Sequence, residues 1–176
     1  MATKPTVEVD GYAVVADAGP LIHLDELDAL DVLGDFRVIL IGPEVHEELR
    51  KHRPNAVNKC SQLTFSYAPK RTEAIDALAL LYTLHRGERE ALALCLEHKP
   101  ALLLTDDTAA RLAAKALNVT AHGTIGLLLR AVRKQHRSAP SVIELLSAIP
   151  HRSSLHVRPS LLQEIIDQAK ANWMIG

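Results

Sequence analysis

Short apolar runs alternate with longer amphipathic stretches along the chain. Tyr12-Ala-Val-Val-Ala16 is β-branched at its centre and ends at Asp17, which predicts a buried strand. Pro20 suits a first helical turn, Leu21, Leu24, Leu27, Leu30 and Leu33 recur at helical spacing, and Gly34 stops the segment. Phe36-Arg-Val-Ile-Leu-Ile41 predicts a second strand, and Pro43 opens a polar helix through about Lys51. Between Arg53 and Lys70 the pattern is weak, and only the alternation in Leu63-Thr-Phe-Ser-Tyr67 suggests a strand. Helices are expected over Thr72–His85 and Glu88–His98, with Gly87 interrupting them. Ala101-Leu-Leu-Leu104 reads as a buried strand, Asp107–Asn118 as a helix, Val119–Ala121 as a short strand and Gly123–Lys134 as a helix. Two terminal helices, Ser141–Ala148 and Ser160–Trp173, complete the pattern.

Strands alternating with helices imply a mostly parallel sheet covered on both faces. A length of 176 residues and 48% hydrophobic content fit one domain with a real core. The residues after about Pro140 read as a helical extension of it. Lys and Arg number 20 and Asp and Glu 21, a formal net charge of −1, which excludes a generally cationic nucleic-acid coat protein. Aromatics are 3%, too few for base-stacking platforms. Two cysteines outside any CxxC pair, no signal peptide and no membrane-length apolar run point to a cytoplasmic protein with no membrane partner.

The chemistry lies in acids at element boundaries. Ligands of an open parallel sheet bind beyond the carboxyl ends of its strands. Asp17 follows the first strand, and Asp106 and Asp107 follow Ala101–Leu104. Glu48 lies on the helix after the second strand, and Glu88 and Glu90 lie in a first helical turn. Each also has a plain structural role open to it: a turn former at Asp17, helix caps at Asp106 or Asp107, and dipole partners at Glu88 and Glu90. Residues two apart on a helix diverge, so one of Glu88 and Glu90 is expected in a shared site. Carboxylates that converge need a cation, and all-oxygen ligation suits Mg²⁺ or Mn²⁺. The chemistry suggested is metal-assisted phosphodiester hydrolysis.

Val15-Ala-Asp17-Ala-Gly-Pro-Leu-Ile22 resembles the opening strand and first acid of PIN-domain nucleases. Pro43-Glu-Val-His-Glu-Glu48-Leu, Gly87-Glu-Arg-Glu-Ala91 and Leu104-Thr-Asp-Asp107-Thr-Ala-Ala-Arg111 resemble their second, third and fourth acidic motifs. Gly123-Thr-Ile-Gly-Leu-Leu-Leu-Arg-Ala131 is similar to a block of one PIN-like branch described as predicted nucleic-acid-binding proteins. The resemblance implies a three-layer α/β/α PIN-like fold over residues 12–138, with a tail at 1–11 and the helical extension at 139–176. It implies catalytic acids among Asp17, Glu48, Glu88, Glu90, Asp106 and Asp107, with Mg²⁺ or Mn²⁺ held by Asp17, Glu48, Glu90 and Asp107. It further implies single-stranded RNA as substrate, a homodimer and, as in VapC-type toxins, a small antitoxin partner. The third motif departs from the common pattern by offering Glu at both positions, and Thr105-Asp106-Asp107 fits a Thr-x-Asp pattern best at Asp107.

Other residues have two readings. Thr105 and Thr124 suit a carboxylate or phosphate contact, or capping. Arg111 suits an ion pair with Asp107 four residues earlier, or orientation of that acid. Arg130, Arg133 and Lys134, with His136 and Arg137, form a basic helix end that suits either the dipole or an RNA backbone. Two non-nuclease readings stand beside the enzyme: a non-catalytic PIN-like module for nucleic acid or protein, and a phosphohydrolase of another doubly wound type. The latter would want a second acid after the first strand. The dimer surface is expected on the first helix and the Thr72–His85 helix, whose leucines one small domain leaves uncovered.

Overall fold

The computed structural model describes residues 13–173. The expected tail at 1–11, Tyr12 and residues 174–176 lie outside the described residues. Five strands are described: β1 (Ala13–Ala16), β2 (Ile39–Ile41), β3 (Leu63–Phe65), β4 (Ala101–Leu104) and β5 (Thr120–His122). The helices are α1 (Ala18–Glu26), α2 (Pro43–His52), α3 (Pro54–Lys59), α4 (Glu73–Tyr82), α5 (Arg86–Glu97), α6 (Thr108–Ala116), α7 (Thr124–Arg133), α8 (Ala139–Arg152) and α9 (Pro159–Trp173). Every strand pairing is parallel, in the order β3-β2-β1-β4-β5.

The side-chain alternation of β1 explains the three layers. Val14 and Ala16 face a core shared with α1, α7, α8 and α9, while Ala13 and Val15 face one shared with α4, α5 and α6. All four β1 residues are buried, as a central parallel strand requires. β1 pairs with β2 on one side and with β4 on the other, so the chain changes direction across the sheet at β1. The crevice beyond the carboxyl ends of β1 and β4 is therefore where a ligand belongs.

Several boundaries differ from the sequence pattern. α1 ends at Glu26 rather than running to Leu33, because Asp28 sits at φ 55, a left-handed conformation that Asp tolerates. A 3-10 turn at Leu30–Leu33 then keeps Leu33 buried, so the leucine spacing reported burial correctly but not helix continuity. β2 is shorter than Phe36–Ile41, α3 lies in the segment that had no clear pattern, and β5 sits one residue later than expected. α4 stops at Tyr82, where Thr83 adopts φ 56, and Gly87 falls inside the first turn of α5 rather than between two helices.

The C-terminal helices belong to the core. Val142, Leu146 and Ile149 of α8 and Leu162, Ile166 and Ala169 of α9 are buried in the same cluster as β1 and α1. α8 begins earlier and ends later than Ser141–Ala148, with Pro150 accommodated in its last turn. The loop between these helices is strapped to α1. Ser154 N–H donates to Glu26 Oε2 at 2.6 Å, and the Ser153 and Ser154 hydroxyls donate to the same carboxylate at 3.0 Å. Among the described residues, no helix is long and apolar enough to cross a membrane.

Truncating Leu146, fully buried between α8 and the sheet-facing core, should destabilise the protein by about 2–5 kcal/mol in Leu146→Ala. Urea unfolding checks this; a loss below about 1 kcal/mol would mean that α8 is an appendage rather than core.

Candidate active site

Parallel pairing puts the carboxyl ends of β1 and β4 side by side, with Ala16 opposite Leu104. The residues that follow form one wall of a cleft of about 530 Å³ lined by Asp17, His23, Glu48, Glu88, Asp106 and Asp107, among others. Asp17 N–H donates to the Leu104 carbonyl, which extends the ladder to the acid itself. Asp17 is 8% exposed. Its Oδ1 accepts from Ala18 N–H at 2.8 Å and its Oδ2 accepts from the Thr105 hydroxyl at 3.1 Å. The Thr105 oxygen in turn accepts from Asp107 N–H at 3.2 Å, so this fully buried threonine ties the first acid to the fourth motif.

The plain structural roles and the shared site turn out to coexist. Asp17 is the N-cap of α1. Asp107 is the N-cap of α6, its Oδ1 accepting from Ala110 N–H at 2.7 Å. Glu88 completes a capping box on α5, accepting from His85 N–H at 2.7 Å. Asp106 holds the start of α7 from outside, accepting from Thr124 N–H at 2.7 Å and from the Thr124 hydroxyl at 2.6 Å. Gly123 admits this contact, because a Cβ there would stand 2.6 Å from Asp106 Oδ1. Gly87 lies where two carboxylates from different elements come together: a Cβ on it would be in ordinary contact with both, 3.6 Å from Asp17 Oδ1 and 3.7 Å from Glu48 Oε2.

The electrostatics record the crowding. Burial raises the Asp17 carboxyl from 3.8 to about 6; the bond from Ala18 opposes the rise, and the charges of Glu88 and Glu48 add to it. Glu88 is also raised, first by burial, against the bond from His85, with the charges of Asp107 and Glu48 contributing. Glu88 thus acts on Asp17, Glu48 and Asp107 across the cleft, and Glu48 acts on Asp17 as well.

Glu90 is not part of this group, contrary to the expectation that it helps hold the ion. Its Oε1 accepts from Glu44 N–H at 2.9 Å and from Val45 N–H at 3.4 Å, at the start of α2. It lines a different cavity, beside Ile75, Arg86 and Ala93. The two-residue offset from Glu88 turns it away, so Glu88 is the member of the pair that enters the cleft. The basic helix end is also partly committed. Arg130 pairs with Asp35 and lies 4.5 Å over the Phe36 ring, Arg137 donates to Asp31, and His136 approaches Asp35. Arg133 is exposed, and Arg111 reaches the Gly123 turn, its Nη1 3.2 Å from where a Cβ would be. Burial first, and then the charges of Arg130, Arg111 and Arg133, lower His122 in β5.

Sequence reasoning missed three histidines and a leucine at this cleft. His23 Nδ1–H donates to Asp106 Oδ2 at 2.8 Å, the carboxylate being able only to accept. His23 follows Gly19 by four residues, so helical spacing already put both on the cleft side of α1. His85 precedes the third acidic motif. Leu155 and His156 arrive from the strapped α8–α9 loop, and nothing local in the sequence signals that.

The family model described as PIN domain matches residues 13–171, almost all of the chain and including α8 and most of α9. The chain belongs to the PIN-domain family. No curated protein matches it. PIN domains are a nuclease-type family that generally works with divalent metal ions, and the five-stranded parallel sheet between helical layers has their architecture. The donor chemistry of this PIN domain fits such an ion: four mutually repelling carboxylates line one cleft, and each Asp17 oxygen keeps a lone pair beyond its hydrogen bond. Among the described residues, no three His, Cys, Asp or Glu side chains stand close enough together to enclose an ion as they are placed. The cleft therefore supplies the charge and the donors in an open arrangement.

A raised carboxyl costs stability when it must ionise. For Asp17 the folded value lies above 3.8, so its contribution is fully favourable below that pH and is lost as pH rises through about 6. Asp17→Asn should be more stable than the parent protein by about 1–3 kcal/mol at pH 7.5, with the gain vanishing near pH 4. Denaturant unfolding at the two pH values checks this; a variant less stable at pH 7.5 would mean that the native carboxylate is not strained.

Proposed function

We propose that this PIN domain is a metal-dependent endoribonuclease that hydrolyses phosphodiester bonds of single-stranded RNA. The observation that carries the reading is the mutual electrostatic action of Asp17, Glu48, Glu88 and Asp107 at the carboxyl edge of the sheet, with Asp17 raised to about 6. Those four residues would hold Mg²⁺ or Mn²⁺. When bound, the ion supplies a Lewis acid that activates water and neutralises charge developing on the phosphate. Thr105 fixes the Asp17 carboxylate against Asp107. Asp106 does not join the ion-holding set; with both oxygens engaged by Thr124 and His23, it fixes the α7 N-terminus beside the cleft. Arg111, exposed Arg133 and neighbouring Lys134 take the RNA backbone, while Arg130 braces that face through Asp35.

The reading extends to a cytoplasmic toxin restrained by a small antitoxin. Growth arrest on expression, lifted by Asp17→Asn, is its expected sign. It also extends to a homodimer, with one change of surface. The leucines of α1, Leu21 and Leu24, are fully buried, so α1 offers no leucine face to a second copy. α4 exposes Leu80 by 86% and Leu81 by 70%. Sedimentation at tens of micromolar should give a dimer that Leu80→Glu with Leu81→Glu converts to monomer; a monomeric parent protein would refute the dimer.

Purified protein with Mn²⁺ should cleave single-stranded RNA, and EDTA should stop it. Asp17→Asn should lose at least about 100-fold in rate, since the charge that holds the ion is gone. Replacing Arg133 and Lys134 with Ala should instead weaken RNA binding and reduce its salt dependence by about two counterions, with cleavage persisting at saturating RNA. Equal activity in parent and Asp17→Asn would mark a contaminant and favour a non-catalytic PIN-like module, a reading with which the open spacing of the acids is compatible.

A further inference from the structure

The α2 helix carries Glu48 into the cleft but has no cap of its own. Gly42, its N-cap residue, has no side chain to accept the free N–H groups of the first turn. The acceptor comes from α5, where Glu90 sits two residues beyond Glu88. Glu90 is 9% exposed, and one of its oxygens, Oε1, takes both the Glu44 and the Val45 N–H groups. The approach is possible only because residue 42 is glycine: a Cβ there would stand 2.2 Å from Glu90 Oε1 and 2.2 Å from Cδ. Gly42 has φ −87, ordinary extended backbone, so glycine is needed for space rather than for conformation.

We infer that Glu90 is a positioning residue that fastens α2 to α5 and so sets Glu48 against Glu88 and Asp17, without itself touching the ion. The geometry supports this in three ways. Glu88 and Glu90 leave α5 in different directions, one into the acidic cleft and the other onto the α2 N-terminus. The end of α2 that Glu90 holds is four and three residues from Glu48, about one helical turn, so little slack separates the fastening from the acid. Gly87, directly before Glu88, is where Glu48 and Asp17 meet, so a shift of α2 against α5 would open that meeting point. The negative charge also faces the positive end of the α2 dipole, where it is favoured.

The inference rests on the metal-dependent reading for its activity arm but not for its structural arm. Because a single oxygen makes both contacts, the carbonyl of Gln can replace it, whereas a metal ligand at this position would need the charge. Glu90→Gln should therefore keep Mn²⁺ affinity and RNA cleavage within about twofold of the parent protein, while Glu90→Ala should lose about 10–100-fold in both, as positioning partners of metal sites do. Gly42→Ala, which displaces the Glu90 side chain without altering it, should behave like Glu90→Ala. Glu88→Gln serves as the contrast and should lose Mn²⁺ binding. Amide hydrogen exchange reports the fastening directly: Glu44 and Val45 N–H should lose protection in Glu90→Ala and Gly42→Ala and keep it in Glu90→Gln, while Leu103 in β4 stays protected in all three.

Glu90→Gln losing Mn²⁺ as completely as Glu88→Gln would make Glu90 a ligand and overturn the inference. Unchanged protection of Glu44 and Val45 in Glu90→Ala would overturn it as well. If the parent protein binds no Mn²⁺ and cleaves no RNA, while the exchange pattern follows the prediction, the metal-dependent function fails and the fastening of α2 to α5 stands.

Discussion

Helix N-termini and carboxylates meet at one edge of this sheet, and that pairing underlies the site. Five helices begin there, α1, α2, α5, α6 and α7; in α1, α2, α6 and α7 an acidic side chain accepts from a first-turn N–H group, and in α5 Glu88 accepts from the N–H of the N-cap residue His85. Two like charges ~6 Å apart cost about 3 kcal/mol at an effective dielectric constant of about 20. A cap contributes about 1 kcal/mol, and the dipole a little less. Capping therefore offsets part of the repulsion; at Asp17, the most buried member, burial first and then the remaining repulsion of Glu88 and Glu48 raise the carboxyl to about 6. The divalent cation proposed for the site would neutralise that remainder.

The same arrangement explains why the acids do not each serve one purpose. Asp107 caps α6 with Oδ1 and still acts on Glu88 across the cleft. Asp106 has both oxygens engaged, linking β4, α7 and α1 through Thr124 and His23. The strapped α8–α9 loop brings Leu155 and His156 to the rim of the cleft, so the C-terminal helices contribute to the site as well as to the core.

The strand ends were the most legible part of the sequence. Val14, Val15, Leu103 and Leu104 are buried on both faces of the sheet, and an unbroken apolar run followed by Asp is direct evidence of a parallel strand ending at a ligand edge. Asp106 and Asp107 follow from the same logic, whereas the sequence leaves Thr105 open between a carboxylate contact and a cap. Contacts between distant elements were not legible: Glu90 reaching α2, Arg130 reaching Asp35 and Glu26 holding Ser154 each depend on packing of segments far apart in the chain. Glu88 and Glu90 are indistinguishable by type and lie in the same helical turn, and only the placement of α2 decides which one enters the cleft. The leucine spacing overstates the length of α1, because Asp28 breaks the helix while the leucines continue their spacing.

Carboxyl ¹³C NMR titration of Asp17, with and without Mg²⁺, tests the central claim most directly. Without metal the carboxyl should titrate near pH 6, and saturating Mg²⁺ should move its midpoint below the ordinary Asp value of about 3.9. A midpoint near 4 in both conditions would contradict the account, because Asp17 would then feel neither its burial and the neighbouring acids nor an ion.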